Sequence, residues 1–170
     1  MNYSIGVANK NDYDRIIEIF EEAKAFIKPT GSVQWQNHIP NYLQFIRDIE
    51  NEAMHKVIIN GNIEAMFFLA TCEKTYDIIY NGSWSFKTYV VLHRVAVSNA
   101  LRGMGLFKII LDYASDYAKR NNIDGIRIDT HEKNEAMRNA LLKYGFKLCG
   151  VINLDNTFDI ERLAFEKKIN

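Results

Sequence analysis

The stretch Val95-Ala96-Val97-Ser98-Asn99-Ala100-Leu101-Arg102-Gly103-Met104-Gly105-Leu106-Phe107 decides how this chain is read. It follows a run rich in β-branched residues, Tyr89 to Val97, and leads into an apolar stripe of Leu106, Ile109, Ile110, Tyr113, Ala114 and Tyr117. That pattern predicts a central strand passing through a glycine turn into an amphipathic helix. Such a junction suits an anion, because glycines let the backbone approach a ligand, successive N–H groups point inward and the helix dipole adds to them. The plainer alternative is that Gly103 and Gly105 only make a tight turn. Two familiar phosphate loops are excluded. No G-x-x-x-x-G-K-[ST] string occurs, and a dinucleotide fingerprint would need a small residue where Lys108 stands and would open the first βα unit.

Working outward, Tyr3, Ile5 and Val7 alternate as a short strand, and Ile16, Ile17, Phe20, Ala23 and Ile27 lay a stripe along a helix that Pro29 and Gly31 stop. A second stripe after Pro40 (Tyr42, Phe45, Ile46, Ile49, Ala53) precedes a hairpin of Val57 to Ile59 and Ile63 to Thr71 around Asn60-Gly61. Residues 72 to 86, with Tyr76, Tyr80, Trp84 and Phe86, read as an ordered loop or short strand extension. Beyond the glycine turn come a strand (Ile126 to Thr130), a helix (Asn134 to Lys143), a strand (Phe146 to Ile152), a turn at Asp155-Asn156 and a closing strand (Leu163 to Glu166). The order β, α, α, β, β, β, α, β, α, β, β predicts an α/β or α+β layer, a mixed, mostly antiparallel sheet with helices on both faces, as one domain over 1–170.

The 170 residues carry 21 Lys and Arg against 21 Asp and Glu. With no basic surplus to condense on a phosphate backbone, a nucleic-acid partner is not expected. No signal-peptide pattern opens the chain, and its longest apolar run, Ala65 to Ala70, is too short for a membrane span, so a soluble, cytoplasmic protein is expected. Cys72 and Cys149 stand far apart and the four histidines are scattered. No metal site is expected, and both cysteines read as free thiols.

Val95-Ala96-Val97 followed by Arg102-Gly103-Met104-Gly105-Leu106-Phe107 resembles the GNAT acyltransferase superfamily, whose acetyl-CoA site is an L/V-A-V-like strand end and a Q/R-x-x-G-x-G/A loop. Asn134-Glu135-Ala136 and Gly145-Phe146 match that family's N-x-A and G-F pattern, so the resemblance spans residues 89 to 152. Trp35-Gln36 with Pro40, His93 to Ala96, Asp129 to Glu132, Cys149 to Ile152 and Arg162 to Lys167 are similar to a group of largely uncharacterised bacterial members. The resemblance implies acetyl-CoA as cofactor, held by Val95, Ala96, Val97, Arg102, Gly103, Met104, Gly105, Leu106, Phe107, Lys108 and Asn134. There are two departures. Phe107 occupies a place usually given to Gly or Ala, and Leu141 falls where many members carry a tyrosine that protonates the departing thiolate.

The implied reaction is acetyl transfer to a primary amine of a small molecule or peptide, by direct attack on the thioester. The alternative is a non-catalytic acetyl-CoA or CoA sensor or interaction module. A base for the amine is sought among histidines. His93 comes first, as a residue sharing a strand face with Val95 and Val97, and His131 second. Each has a plain structural reading, a satisfied half-buried histidine and an exposed helix-start residue respectively. Tyr144 is the alternative acid, although it also reads as packing before Gly145. Trp35, Trp84 and Tyr89 are candidates to wall the acceptor pocket, or else core. Cys149, in an apolar strand, reads as an inert thiol rather than an acyl carrier. A monomer is expected, or a homodimer paired through an exposed closing strand.

Overall fold

The computed structural model describes residues 2–36, 40–154 and 160–169. Its elements follow the apolar periodicities of the chain: β1 (Tyr3–Val7), α1 (Tyr13–Ile27), α2 (Tyr42–Glu50), β2 (Met54–Ile59), β3 (Asn62–Ala70), β4 (Tyr89–Val97), α3 (Leu106–Arg120), β5 (Gly125–Thr130), α4 (Glu135–Lys143), β6 (Lys147–Asn153) and β7 (Glu161–Lys168). The expected order is found, while the turn expected at Asp155-Asn156 lies outside the described residues. Asn41 and Asn134 cap α2 and α4 by accepting from Gln44 N and Met137 N, as short polar side chains do at helix starts.

One seven-stranded sheet runs in the order β1-β2-β3-β4-β5-β7-β6. Every neighbouring pair is antiparallel except β4 with β5. Two cores lie on its two faces. On one, Leu106, Ile110 and Ala114 of α3 and Leu141 of α4 pack on Val57, Phe67, Val90, Leu92 and Ile126. On the other, Ile16, Ile19 and Phe20 of α1 and Phe45 and Ile49 of α2 pack on Met54, Met66 and Ala96. No helix among the described residues is long and apolar enough to cross a membrane.

The closing strand differs from expectation. β7 is interior, bonded on one side to β5 and on the other to β6, so it offers no free edge for pairing with a second copy. The edges are β1 and β6.

Residues 72–86 form neither a linker nor a strand but a folded cover over β6 and β7. They contain a 3-10 turn at Lys74–Tyr76 and a single bridge from Tyr80 to Val151. Gly82 lies so close to β6 that an added Cβ would stand 1.8 Å from the Cys149 carbonyl oxygen. Gly82→Ala is therefore expected to cost about 1–3 kcal/mol, lowering the melting midpoint by several degrees, whereas Gly6→Ala in β1, where a Cβ meets nothing within 4 Å, leaves it near the wild-type value. Thermal unfolding of the two variants side by side checks this.

Candidate active site

The parallel strands β4 and β5 pair only from Tyr89–Gly125 to Val91–Arg127 and then part. The backbone of β4 beyond Val91 faces a cavity of about 790 Å³, lined by Leu92 to Val97 on one side and Ile128 to Thr130 on the other. The cause lies within β4. His93 faces Phe68 of β3, Ala96 faces Met66, and Phe67 is left opposite both Arg94 and Val95. Arg94 is thus the extra residue of a β-bulge, with a φ of 50°, and a bulge bends its strand and breaks the alternation of side chains.

This corrects the expectation that His93 shares a face with Val95 and Val97. Past the bulge, Val95 and Val97 join the α3 core with Val90 and Leu92. His93 points the other way, its ring 5.9 Å from that of Phe68 and 5.8 Å from that of Tyr76.

At the lower end of the cleft, residues 98–105 form the glycine turn. Gly103 and Gly105 take φ values of 81° and 88°, and an added Cβ at either would meet nothing within 4 Å. Gly105 is the N-cap of α3, and no side chain caps that end. Open space, left-handed glycines and an uncapped helix start are what a pyrophosphate requires. The unpaired edge of β4 is likewise what an extended amide-bearing arm would pair with. The residues present therefore fit acetyl-CoA. Val95, Ala96, Val97, Arg102, Gly103, Gly105, Leu106, Phe107 and Asn134 line the cavity.

Two of the expected cofactor residues do not. Met104 is 58% exposed, and Lys108 turns outward onto Asp112 at 2.6 Å. Neither lines the cavity. Asn134 lines it with a committed amide: Oδ1 accepts from Met137 N, and Nδ2 donates to Gln34 Oε1 at 3.2 Å. The Phe107 ring meets the Tyr144 ring edge-on at 5.9 Å. Leu141 is fully buried in the core, so that position offers no acid, whereas Tyr144 lines the cleft.

Opposite the glycine turn, His93 lies between two carboxylates. Its Nε2 is 3.0 Å from Glu73 Oε2 and its Nδ1 3.2 Å from Asp129 Oδ1. Tyr76 Oη donates to the same Asp129 oxygen at 2.7 Å, and Thr75 donates to Glu73 through N and Oγ1. Burial alone would favour a neutral ring. The hydrogen bonds and charges of Asp129 and Glu73 outweigh it and raise the His93 pKa to about 9. Burial likewise works against the Glu73 carboxylate, yet bonding to His93 and Thr75 brings it down to about 2. His93 is therefore an imidazolium at neutral pH with both nitrogens engaged, not the free neutral base expected. Arg94 holds Asp48 of α2 at 2.7 Å and stacks on Phe68 at 4.3 Å.

The remaining candidates separate. His131 is buried, not exposed, and does not line the cavity. Its Nδ1 accepts from Lys133 N at 3.0 Å, closing the turn before α4. Trp35 does line the cavity, its ring 5.0 Å from that of Phe20. Trp84 and Tyr89 do not line it. They clamp the Arg127 guanidinium at 4.1 and 3.9 Å, because a buried cation in a central strand needs partners and these rings supply them. Burial next to Glu166 pushes the Cys149 thiol up to about 12, so it remains protonated and inert.

Sequence reasoning missed Glu73, the base-pairing role of Asp129, and Gln34. The buried Gln34 amide oxygen accepts from Asn134, His131 N and Thr130. Asp129 carries a readable signal, since Arg127 and Asp129 alternate with Ile126 and Ile128 in a central strand and buried charges must be paired. Glu73 carries none, because only the loop's tertiary fold brings it to His93.

The chain matches the model of the acetyltransferase (GNAT) family over residues 38–146. Among solved structures, a GNAT-family acetyltransferase from Streptococcus agalactiae 2603 is 36% identical, with 98% of this chain and 95% of that chain covered and a TM-score of 0.86. Two more distant structures share the fold at 17% identity. The PaiA N-acetyltransferase of Thermoplasma acidophilum, solved with coenzyme A, has a TM-score of 0.73 over 99% of each chain. YncA, a putative acetyltransferase from Salmonella typhimurium solved with acetyl-CoA, has 0.69 over 100% of this chain and 95% of that one. No curated protein matches the sequence.

The charge cluster also bears on stability. The folded His93 value lies above the roughly 6.5 of a free histidine, so its contribution is complete below about pH 6.5 and is lost as the pH rises through 9. Glu73 and Asp129, depressed in the fold, contribute above roughly pH 4–5 and lose that contribution as the pH falls. Denaturant unfolding of the wild type and His93→Gln is thus expected to show the largest stability gap near pH 5–7 and a shrinking gap towards pH 10.

Proposed function

Because the chain belongs to the GNAT acetyltransferase family, we propose that its 170 residues form a single acetyl-CoA-dependent N-acetyltransferase domain that acts on a primary amine. One observation carries this reading. The parting of β4 from β5 joins an uncapped, left-handed glycine turn to the Glu73–His93–Asp129 cluster within a single cleft.

Acetyl-CoA, when bound, supplies a thioester whose carbonyl carbon takes the amine nitrogen and whose sulfur departs. The backbone of Val95 to Val97 positions the donor by strand-like pairing, and the amides at Gly103 to Phe107 with the start of α3 hold its phosphates. His93, once deprotonated, takes the proton of the acceptor ammonium, directly or through one water. Asp129 fixes the ring through Nδ1 and is itself fixed by Tyr76. Tyr144, which lines the same cleft, is the hydroxyl proposed to protonate the departing sulfur. A thiol ionising near 8.5 also leaves readily to water, so Leu141 in the core does not prevent turnover.

Acetyl-CoA and CoA at about one hundred times Kd are expected to stabilise the protein by roughly 2.7 kcal/mol, raising the midpoint by about 5–10 °C, with little effect from ATP. No shift with millimolar acetyl-CoA would refute the reading. Because His93 must lose a proton to act, kcat/KM is expected to climb with pH through a midpoint near 9. His93→Gln is expected to lower kcat by about 10²- to 10⁴-fold and to abolish that limb while leaving the acetyl-CoA shift intact.

A further inference from the structure

Five charged side chains meet at the acceptor side of the cleft: Asp48 from α2, Glu73 from the turn after β3, His93 and Arg94 from β4, and Asp129 from β5. Arg162 of β7 lines the same cleft and acts on Asp129, and the hydroxyls of Tyr76 and Tyr89 close the cluster. Three carboxylates thus stand against His93, Arg94 and Arg162, and the cluster is neutral when His93 carries its proton.

The carboxylates are not equally available. Asp48, only 4% exposed at its side chain, is taken by Arg94 and Gln44. Asp129, 8% exposed, is taken by His93 and Tyr76. Glu73 is 24% exposed and lines the cleft. Its oxygens are met by His93 and Thr75, and a carboxylate with about four lone-pair sites has capacity for one more donor. The same cleft is lined by the apolar side chains of Val33, Trp35, Pro40 and Leu154.

We infer that Glu73 determines which amines this protein accepts: its carboxylate receives the ammonium of a monoamine with an apolar body, and the charge brought in is balanced by release of the His93 proton. This inference rests on the acetyltransferase reading above. The neutral cluster admits one positive charge by exporting one proton, and that export leaves His93 in the form able to take the proton of the amine itself. A diamine brings a second charge that no remaining proton offsets, and it would sit in a cleft shared with Arg94 and Arg162. An α-amino acid brings a carboxylate among three others, while the guanidinium of Arg94 is already on Asp48.

Titration calorimetry on the CoA-saturated protein tests this, with phenethylamine, 1,4-diaminobutane, phenylalanine and a tetrapeptide as probes. Measurements at pH 7 in two buffers of different ionisation heat count the protons released. Phenethylamine is expected to bind at least about tenfold tighter than the other three and to release about one proton. Glu73→Gln is expected to weaken it about tenfold or more and to remove most of the proton release, with CoA binding unchanged, while Glu73→Asp retains part of both. Binding of phenethylamine without proton release in the wild type, an undiminished affinity in Glu73→Gln, or a preference for any other probe would overturn the inference. Failure of every amine to bind a protein that does take up CoA overturns it and leaves the cofactor reading standing. Failure to bind CoA at all removes both.

Discussion

The cleft exists because one residue too many sits in the central strand. Arg94 has no partner of its own on β3, and approaching this bulge β4 leaves β5 after Val91. A left-handed conformation at a side chain as large as arginine costs on the order of 1–2 kcal/mol, so something must hold it. Its guanidinium is fixed by Asp48 at 2.7 Å and by the face of Phe68 at 4.3 Å. Burial still pushes the Asp48 carboxyl above its ordinary value, with Arg94 and Gln44 only partly countering it. That is the mark of a pair whose desolvation consumes much of its attraction. Its structural consequence is geometric: α2 is tied to the bend in β4, and the bend sends valines into one core and His93 into the cleft.

Two kinds of recognition then meet in one cavity, and they tolerate sequence change differently. The glycine turn works through backbone groups, so Met104 is exposed and Lys108 serves only an outward pair with Asp112. Phe107, where the ring is large, packs edge-on against Tyr144 at 5.9 Å. The acceptor side works through side chains whose charges depend on one another. There each group matters through its neighbours, and a single deletion leaves a buried charge unmatched.

The contrast explains what was legible in the sequence. Element order follows from the periods of apolar residues, which record burial on one face at a time, and the glycine turn follows from residues whose backbone freedom has few other uses. The bulge is invisible to that reading. Alternation along Leu92 to Val97 places His93 with Val95, and only the register against Phe67 reverses it. The placement of β7 between β5 and β6 is equally hidden, because an interior and an edge strand of eight residues carry similar alternation. Charges buried in strands, Arg127 and Asp129 above all, can be flagged from sequence as needing partners, but some of the partners, Trp84 and Tyr76 among them, come from a loop with no periodicity at all.

That loop shows why aromatic residues can shape an active site without touching a substrate. Trp84 donates its indole N–H to the Tyr76 carbonyl at 2.9 Å and stacks on Arg127, which Glu166 and Tyr89 hold from other sides. Ser85 N donates to Glu166 at 2.9 Å, and Glu73 N donates to the Tyr89 hydroxyl at 3.2 Å. Each end of the segment is therefore anchored to strands of the sheet. Glu73, at one anchor, and Tyr76, between the two, reach His93 and Asp129 in fixed positions. Without such support a carboxylate on a loop would lose rotamer entropy each time it met an imidazolium, and an exposed pair of that kind is worth little. The rings remove that cost in advance, and the ion pair can then set the protonation of the histidine.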